Sequence, residues 1–313
     1  MIRRCANMGF QIQKGVWPTM ITPFDENGRV DYKIIPKMVD WYIEKGCKGI
    51  FAVCQSSEMF FLSRREKTDI ARCVAESVGG RIQVIASGHT ADDISQQIDE
   101  LLEMSQTGVD AVVLVSNRLV ARDEGEDIFT RNAERIFSSL KGINLGMYEC
   151  PYPYKRLLTT AFLEDCAKNE KLVFIKDTCC SSKLIKERIR AVQGYNLSIF
   201  NANTATLLDS LRAGGAGYNG VMANFHPEIY HWLYHHFQYD TPQVARINDF
   251  LTVAGVIEAR AYPASAKYHM NRLGIPMTAN TRANSPDLLN ENAMLEVDRL
   301  IELEQYVRKT LNI

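Results

Sequence analysis

Short apolar segments alternate with amphipathic segments along most of this chain, and this alternation limits the possible folds more than any other feature. Eight segments have the composition of buried strands, and each is followed by a pattern typical of a helix. These segments are 16–24, 49–54, 82–88, 110–115, 143–149, 171–177, 197–203 and 214–224. They are apolar on both faces, as parallel strands covered by helices should be. The sequence therefore predicts eight consecutive βα units.

Eight βα units in one chain predict a (β/α)8 barrel, the α/β fold also called a TIM barrel. A doubly wound parallel sheet is the alternative, but no Gly-x-Gly-x-x-Gly pattern follows the first segment. We expect residues 1–14 to form an N-terminal extension and residues 15–237 to form the barrel. Residues 238–313 carry further amphipathic patterns, and we expect them to form additional C-terminal helices packed on the barrel.

Composition and charge argue against several classes of function. The net charge of −1 does not favour nucleic acid or an anionic membrane surface as a partner. The apolar runs are too short to cross a bilayer, and the N-terminus lacks the apolar core of a secretory signal. The eight cysteines show no Cys-x-x-Cys pair and no spacing typical of a metal site. These patterns indicate a cytoplasmic protein with reduced thiols and no bound metal.

A lysine at the end of the sixth apolar segment points to a specific chemistry. Lysine is rarely buried unless its charge is held or used, yet Lys176 directly follows apolar residues. Tyr148 ends the fifth segment, so the two side chains should lie at the same height on neighbouring strands. A desolvated lysine amine can attack a carbonyl to form an imine, and a phenol can move the protons. Alternatively, Lys176 extends toward solvent and pairs with Asp177 or Glu149.

Several motifs occur in an order and spacing that together resemble one enzyme family. They are TPFDENGRVD (22–31), FLSRREK (61–67), GVDAVVLV (108–115), Tyr148 with Pro151, FIKD (174–177) and ANFHP (223–227). Over about residues 15–300 the sequence resembles the pyruvate-dependent class I aldolases, the family of dihydrodipicolinate synthase and N-acetylneuraminate lyase. The resemblance implies that Lys176 forms a Schiff base with pyruvate or another 2-oxo acid. It also implies that Tyr148 relays protons, that no cofactor is required, and that the protein is a homo-oligomer, either a tetramer or a dimer.

The loop after the second segment departs from the family pattern. The family usually has GTTGE or GSTGE, whereas this chain has CQSSE at 54–58. Gln55 replaces the first hydroxyl residue, which in the family couples the tyrosine to its proton relay. Ser56 keeps the second hydroxyl and, with the amide of Ser57, is expected to bind the substrate carboxylate. Asn219, in the glycine-rich segment, is the fourth residue expected around that carboxylate.

Other departures concern the second half of the substrate. Dihydrodipicolinate synthase has an arginine for a second carboxylate two residues after the proline, and this chain has Pro153 there. Arg156 is close enough in sequence to take that role. The synthase's tyrosines after the fourth strand are also missing, including one exchanged between subunits, which weakens the inference of a tetramer. These differences argue against dihydrodipicolinate synthase itself.

The resulting expectation is a Schiff-base lyase, either an aldolase or a dehydratase. Its substrates would be a 2-oxo acid and a small aldehyde or sugar acid. The alternative is a barrel that has lost turnover and serves as a 2-oxo-acid-binding or regulatory protein, an interpretation that the altered CQSSE loop makes credible. The glycine-rich loop at 214–220 could instead bind phosphate, as in other barrels.

Three further polar residues allow more than one interpretation. Glu149 is expected to form a structural salt bridge rather than to act as an acid, because strand alternation turns it away from Tyr148. Glu58 is expected to brace its loop. His89 either contacts a polar end of the substrate or caps the following helix.

Overall fold

The computed structural model describes residues 9–312, and these residues form eight parallel strands alternating with helices. This architecture confirms the predicted (β/α)8 barrel with additional C-terminal helices. The strands are β1 (Gly15–Val16), β2 (Gly49–Phe51), β3 (Gln83–Ala86), β4 (Ala111–Val115), β5 (Leu145–Tyr148), β6 (Phe174–Asp177), β7 (Ser198–Asn201) and β8 (Gly217–Tyr218). Residues 1–8 of the predicted N-terminal extension (1–14) lie outside the described residues.

The barrel helices follow the strands in chain order. They are α1 (Ile35–Glu44), α2 (Arg64–Val78), α3 (Ile94–Ser105), α4 (Glu126–Ser139), α5 (Thr160–Lys168), α6 (Ser182–Ala191), α7 (Leu207–Arg212) and α8 (Pro227–His236). Three more helices follow: α9 (Pro242–Ala254), α10 (Ala264–Arg272) and α11 (Glu291–Leu311). Within the described residues, none of the helices has both the length and the apolar character needed to cross a membrane.

Strand order and register place the ends of β5 and β6 side by side. The sheet runs β1-β8-β7-β6-β5-β4-β3-β2, with every neighbouring pair parallel. It closes between β1 and β2, where the Phe51 amide donates to the Pro18 carbonyl at 3.0 Å. In the β5–β6 pair Tyr148 lies directly beside Lys176, as predicted.

Aromatic side chains fill the barrel interior beneath these strand ends. Trp17, Phe174 and Phe200 are fully buried, and their ring centroids lie between 5.1 and 6.0 Å apart. Phe51 contacts the same cluster, 6.2 Å from Phe174. Gly49 makes room for the cluster, because a Cβ there would lie 2.3 Å from the Trp17 ring. The ends of the strands therefore lie above a buried cluster of aromatic rings.

Side-chain caps fix where several barrel helices begin. Ser63, Asp93 and Thr159 each accept a hydrogen bond from the amide three residues later, at 3.0–3.2 Å. At Ser63 the cap is reciprocal, because the Glu66 carboxylate accepts from the Ser63 amide at 2.8 Å. These caps set the ends of the strand-to-helix loops, which in this fold carry functional residues.

The helices after α8 pack on the barrel through a buried polar cluster. Glu304 of α11 contacts His226 at the start of α8 at 2.7 Å and His269 of α10 at 3.0 Å. All three side chains are fully buried. Buried charges are stable only when they are paired, so this cluster ties α11 and α10 to the barrel.

Candidate active site

Lys176 lies at the carboxyl end of β6 with only 3% of its surface exposed. Its Nζ is 4.4 Å from the centre of the Tyr148 ring and 5.6 Å from that of Phe51. Among the described residues it has no hydrogen bond and no ion pair. Burial lowers the pKa of Lys176, which favours the neutral amine. The lysine is therefore buried and unpartnered.

The acidic residues next to Lys176 are held elsewhere. Arg188 of α6 forms an ion pair with Asp177 and another with Glu149 at 2.9 Å, and all three side chains are fully buried. The Glu149 carboxylate also accepts from the amides of Leu158 and Thr178, each at 2.8 Å. Glu149 thus has the structural role expected of it, and the alternative pairing of Lys176 with Asp177 or Glu149 does not occur.

A cavity of about 470 Å³ opens at the carboxyl ends of the strands and contains both Lys176 and Tyr148. The other residues that line it include Gln55, Ser56, Glu58, Lys155, Thr178, Cys180, Asn203, Gly220, Glu258, Tyr262 and Asn284. A concave, partly apolar site with a few convergent polar groups is typical of a small-molecule site.

Of the four residues predicted around the carboxylate, two line the cavity and two do not. Gln55 and Ser56 line it, and the Ser56 hydroxyl donates to Thr19 Oγ1 at 3.0 Å. The Ser57 hydroxyl instead donates to the Met20 carbonyl at 2.6 Å, and its amide donates to the Cys54 carbonyl at 3.1 Å.

Asn219 also lies behind the cavity wall. It is fully buried, and its Nδ2 donates to the Trp17 carbonyl at 2.8 Å. Its neighbour Gly220 lines the cavity in its place. The structure therefore brings Gln55 and Ser56 to Lys176 and Tyr148, while the carboxylate-binding roles of Ser57 and Asn219 stay predictions.

Two thiols, Cys54 and Cys150, and the phenol of Tyr262 lie near Tyr148. Tyr148 is 3% exposed, and burial raises its pKa well above the ordinary value. Cys150 Sγ lies 3.3 Å from Gln55 Oε1, and burial raises the pKa of this thiol to about 11. Gln55, which replaces the family's first hydroxyl residue, therefore contacts a thiol that lies near Tyr148.

The positive charge at the cavity comes from Lys155 and not from Arg156. The Arg156 guanidinium pairs with Glu126 at 2.8 Å, whereas Lys155 lines the cavity and its Nζ donates to the Thr178 carbonyl at 2.8 Å. The sequence contains a signal for this role. Lys155 is a cation and lies only two residues after Pro153, the position at which dihydrodipicolinate synthase has an arginine.

The C-terminal region contributes a wall of the cavity, which was not predicted from the sequence. Tyr262 is half-buried, and its hydroxyl accepts from Asn224 Nδ2 at 3.1 Å. The Asn284 side chain donates to the Tyr262 carbonyl at 2.7 Å. None of the motifs that carry the family resemblance includes Tyr262 or Asn284.

Glu58 connects this wall to the loop after β2. Its carboxylate pairs with Lys267 of α10 at 2.7 Å, with both side chains fully buried. It also accepts from the Thr281 hydroxyl at 2.6 Å and from the Ala283 amide at 2.8 Å. Glu58 therefore braces its loop, as predicted, and it also holds residues 281–284 at the cavity.

His89 has a structural role. It is 1% exposed, its Nδ1 contacts Gln97 at 3.0 Å, and its Nε2 accepts from the Val115 amide at 2.6 Å. Burial lowers its pKa to about 3, so the ring is neutral. It is not among the residues that line the cavity.

Comparisons with known proteins identify a family model and relatives that match most of the chain. The model of the dihydrodipicolinate synthetase family matches residues 12–302. A 4-hydroxy-tetrahydrodipicolinate synthase from Psychrobacter sp. (strain PRwf-1) is 25% identical over 284 residues, which cover 88% of this chain and 89% of that protein.

Solved structures share the fold at lower identity. YagE from E. coli K12, a prophage protein of the dihydrodipicolinic acid synthase family in complex with pyruvate, has a TM-score of 0.84 at 21% identity, covering 93% of this chain and 98% of its own. The chloride-inhibited dihydrodipicolinate synthase from Acinetobacter baumannii, also complexed with pyruvate, has a TM-score of 0.83 at 22% identity, covering 93% and 99%. Because the family model spans nearly the whole chain, this protein belongs to the dihydrodipicolinate synthetase family.

Proposed function

We propose that this protein is a Schiff-base lyase in which Lys176 attacks the carbonyl of pyruvate or another 2-oxo acid. The observation that carries the proposal is the buried, unpartnered Lys176 amine, 4.4 Å from the Tyr148 ring in an open cavity. A lysine that is desolvated and free of a counterion is a nucleophile, since its neutral form is accessible near pH 7.

The reaction follows from the electron flow in the imine. The amine forms a C–N bond to C2 of the 2-oxo acid, and the carbonyl oxygen takes up protons and leaves as water. The resulting iminium accepts electrons from C3 to give an enamine. Either C3 loses a proton, or a C4 hydroxyl loses its proton and the C3–C4 bond breaks, so that C4 leaves as an aldehyde. In the other direction the enamine carbon attacks an aldehyde. Tyr148 is the group placed to give and take the protons, and the imine itself is the electron sink.

The proposed first substrate is a small 2-oxo acid. Two structural relatives are described in complex with pyruvate. In this chain Gln55 and Ser56 lie at the cavity, where an amide and a hydroxyl can bind a carboxylate. The second substrate, a small aldehyde or sugar acid, would occupy the space between Lys155, Glu258 and Asn284.

Chemical trapping tests the imine directly. Pyruvate and borohydride are added to the native protein, and the reduced adduct is located by peptide mass spectrometry. We expect one adduct, on Lys176, that requires both reagents. Absence of an adduct with pyruvate and with a panel of 2-oxo acids would contradict the proposal. An adduct without turnover of any aldol substrate would instead support a 2-oxo-acid-binding protein.

Replacing Tyr148 with phenylalanine tests the proton relay. The ring would still pack on Phe51, 5.7 Å away, so the fold should be unchanged. Because general acid–base catalysis contributes about 10²–10⁴-fold, we expect turnover and the rate of imine formation to fall by roughly that factor. Single-turnover trapping measures the rate, and Tyr152→Phe, at the exposed side of the cavity, is the matched control. Equal rates in Tyr148→Phe and the native protein would exclude Tyr148 from proton transfer.

A homo-oligomer in the cytoplasm is part of the same proposal. The family resemblance supports it, and light scattering of the purified protein measures the subunit number.

A further inference from the structure

Glu258 reaches the candidate site from a part of the chain that precedes α10. It lies in the short 3₁₀ helix Gly255–Ala259, and its side chain lines the same cavity as Lys176, Asn203 and Asn284. It remains solvent-exposed, so it lies on the open side of the cavity. This carboxylate has no part in the chemistry proposed above.

Glu258 is free to meet a ligand. Among the described residues, none donates a hydrogen bond to it or forms an ion pair with it. The nearest arginine in sequence, Arg260, is paired with Glu296. The other acidic residue that lines the cavity, Glu58, is fully occupied by Lys267 and the 281–283 segment. Glu258 is therefore the unpartnered negative charge of the described cavity.

Two lysines also line this cavity. Burial raises the pKa of Glu258, and the nearby Lys176 opposes this effect in part. Lys155 lines the cavity but is bonded to the Thr178 carbonyl, and it forms no ion pair with Glu258. Once Lys176 has formed an iminium with a 2-oxo acid, the carboxylate of that acid offsets its charge. The charged side chains that remain near the other end of the substrate, away from the imine, are then Glu258 and Lys155.

We propose that Glu258 selects the second half of the substrate, favouring groups that donate hydrogen bonds, such as hydroxyl or ammonium, and disfavouring a carboxylate on its side of the cavity. A free carboxylate accepts hydrogen bonds and repels a like charge in a partly enclosed site. This inference rests on the proposed Schiff base at Lys176, because that bond fixes one end of the substrate.

Two probes that differ by a single charge test the inference. These are 2-oxoglutarate and its 5-methyl ester, each trapped with borohydride on the native protein, on Glu258→Gln and on Lys155→Gln. The readout is the concentration that gives half-maximal adduct at Lys176. The compared quantity is the ratio of this concentration for 2-oxoglutarate to that for the ester. Glu258→Gln should lower this ratio by roughly threefold to tenfold, the range for a partly exposed charge pair. Lys155→Gln should shift the ratio in the opposite direction.

The matched control is Glu291→Gln, which removes an exposed carboxylate that does not line the cavity. It should leave the ratio unchanged. Suppose that Glu258→Gln changes the half-maximal concentrations of both probes by the same factor, or changes neither, while pyruvate still gives the Lys176 adduct. That result would overturn the role of Glu258 and leave the Schiff base intact. If no 2-oxo acid gives an adduct in the native protein, the proposed function fails, and the inference fails with it.

Discussion

Lys176→Met is expected to remove the borohydride adduct completely and to lower any turnover by roughly 10³-fold or more, as the loss of a nucleophile does in other enzymes. Methionine keeps the length and packing of the side chain but has no amine. The measurement is trapping with pyruvate, followed by mass spectrometry of the intact protein and its peptides. An adduct of native yield in Lys176→Met, on any other lysine, would contradict the assignment.

The same substitution should leave the fold intact and is expected to stabilise it by about 1 kcal/mol near pH 7. Burial lowers the pKa of Lys176, so between its folded and unfolded pKa values the unfolded chain binds more protons. Stability of the native protein therefore rises with pH across that window, whose upper limit is near 10.4. The advantage of Lys176→Met should shrink as the pH approaches that limit.

Thermal unfolding of the two proteins between pH 6 and 10 measures this difference. Lys37→Met, which removes an exposed lysine of α1, is the matched control and should show no such dependence. A difference that grows with pH would mean that Lys176 is not destabilised by burial.

Lys267→Met is expected to lower the free energy of unfolding by about 3–5 kcal/mol, because it leaves Glu58 as a buried charge without its ion partner. For a chain of this size the melting temperature should fall by roughly 10 °C. The Glu58 carboxylate also holds residues 281–284 at the cavity. We therefore expect weaker binding of pyruvate, measured as a higher concentration for half-maximal adduct.

The control for this prediction is a solvent-exposed ion pair. Arg299 and Glu302 lie 2.6 Å apart with 65% and 62% of their side chains exposed. Arg299→Met should change stability by less than about 1 kcal/mol, since exposed pairs contribute little. If Lys267→Met and Arg299→Met destabilise equally, the Glu58–Lys267 pair does not support the cavity wall.

The fold and the adjacent positions of Tyr148 and Lys176 were predictable because their signals are local. A buried parallel strand is read from a few consecutive apolar residues, and β5 and β6 are consecutive in both sequence and sheet. Tyr148 and Lys176 could therefore be placed side by side from sequence alone. The salt bridge of Glu149 was predicted from strand alternation, which turns this side chain away from Tyr148.

The remainder of the site depends on how loops bend, which short sequence patterns do not determine. The Ser57 amide was expected to bind the carboxylate, but it donates to the Cys54 carbonyl at 3.1 Å. Lys155 and Arg156 are adjacent cations, and only the backbone course decides which one lines the cavity. Glu258 and Tyr262 reach the cavity from more than 80 residues after Lys176, and no motif links the two regions.

The hydrogen bonds of Glu58 also have a consequence for the order of events during synthesis. They join residues separated by 209 and 225 positions, so the cavity wall cannot assemble until nearly the whole chain has left the ribosome. Until then, the loop after β2 lacks its partner and Lys176 lacks an enclosing wall. The cavity that contains Lys176 is therefore completed only when this late segment of the chain contacts the loop after β2.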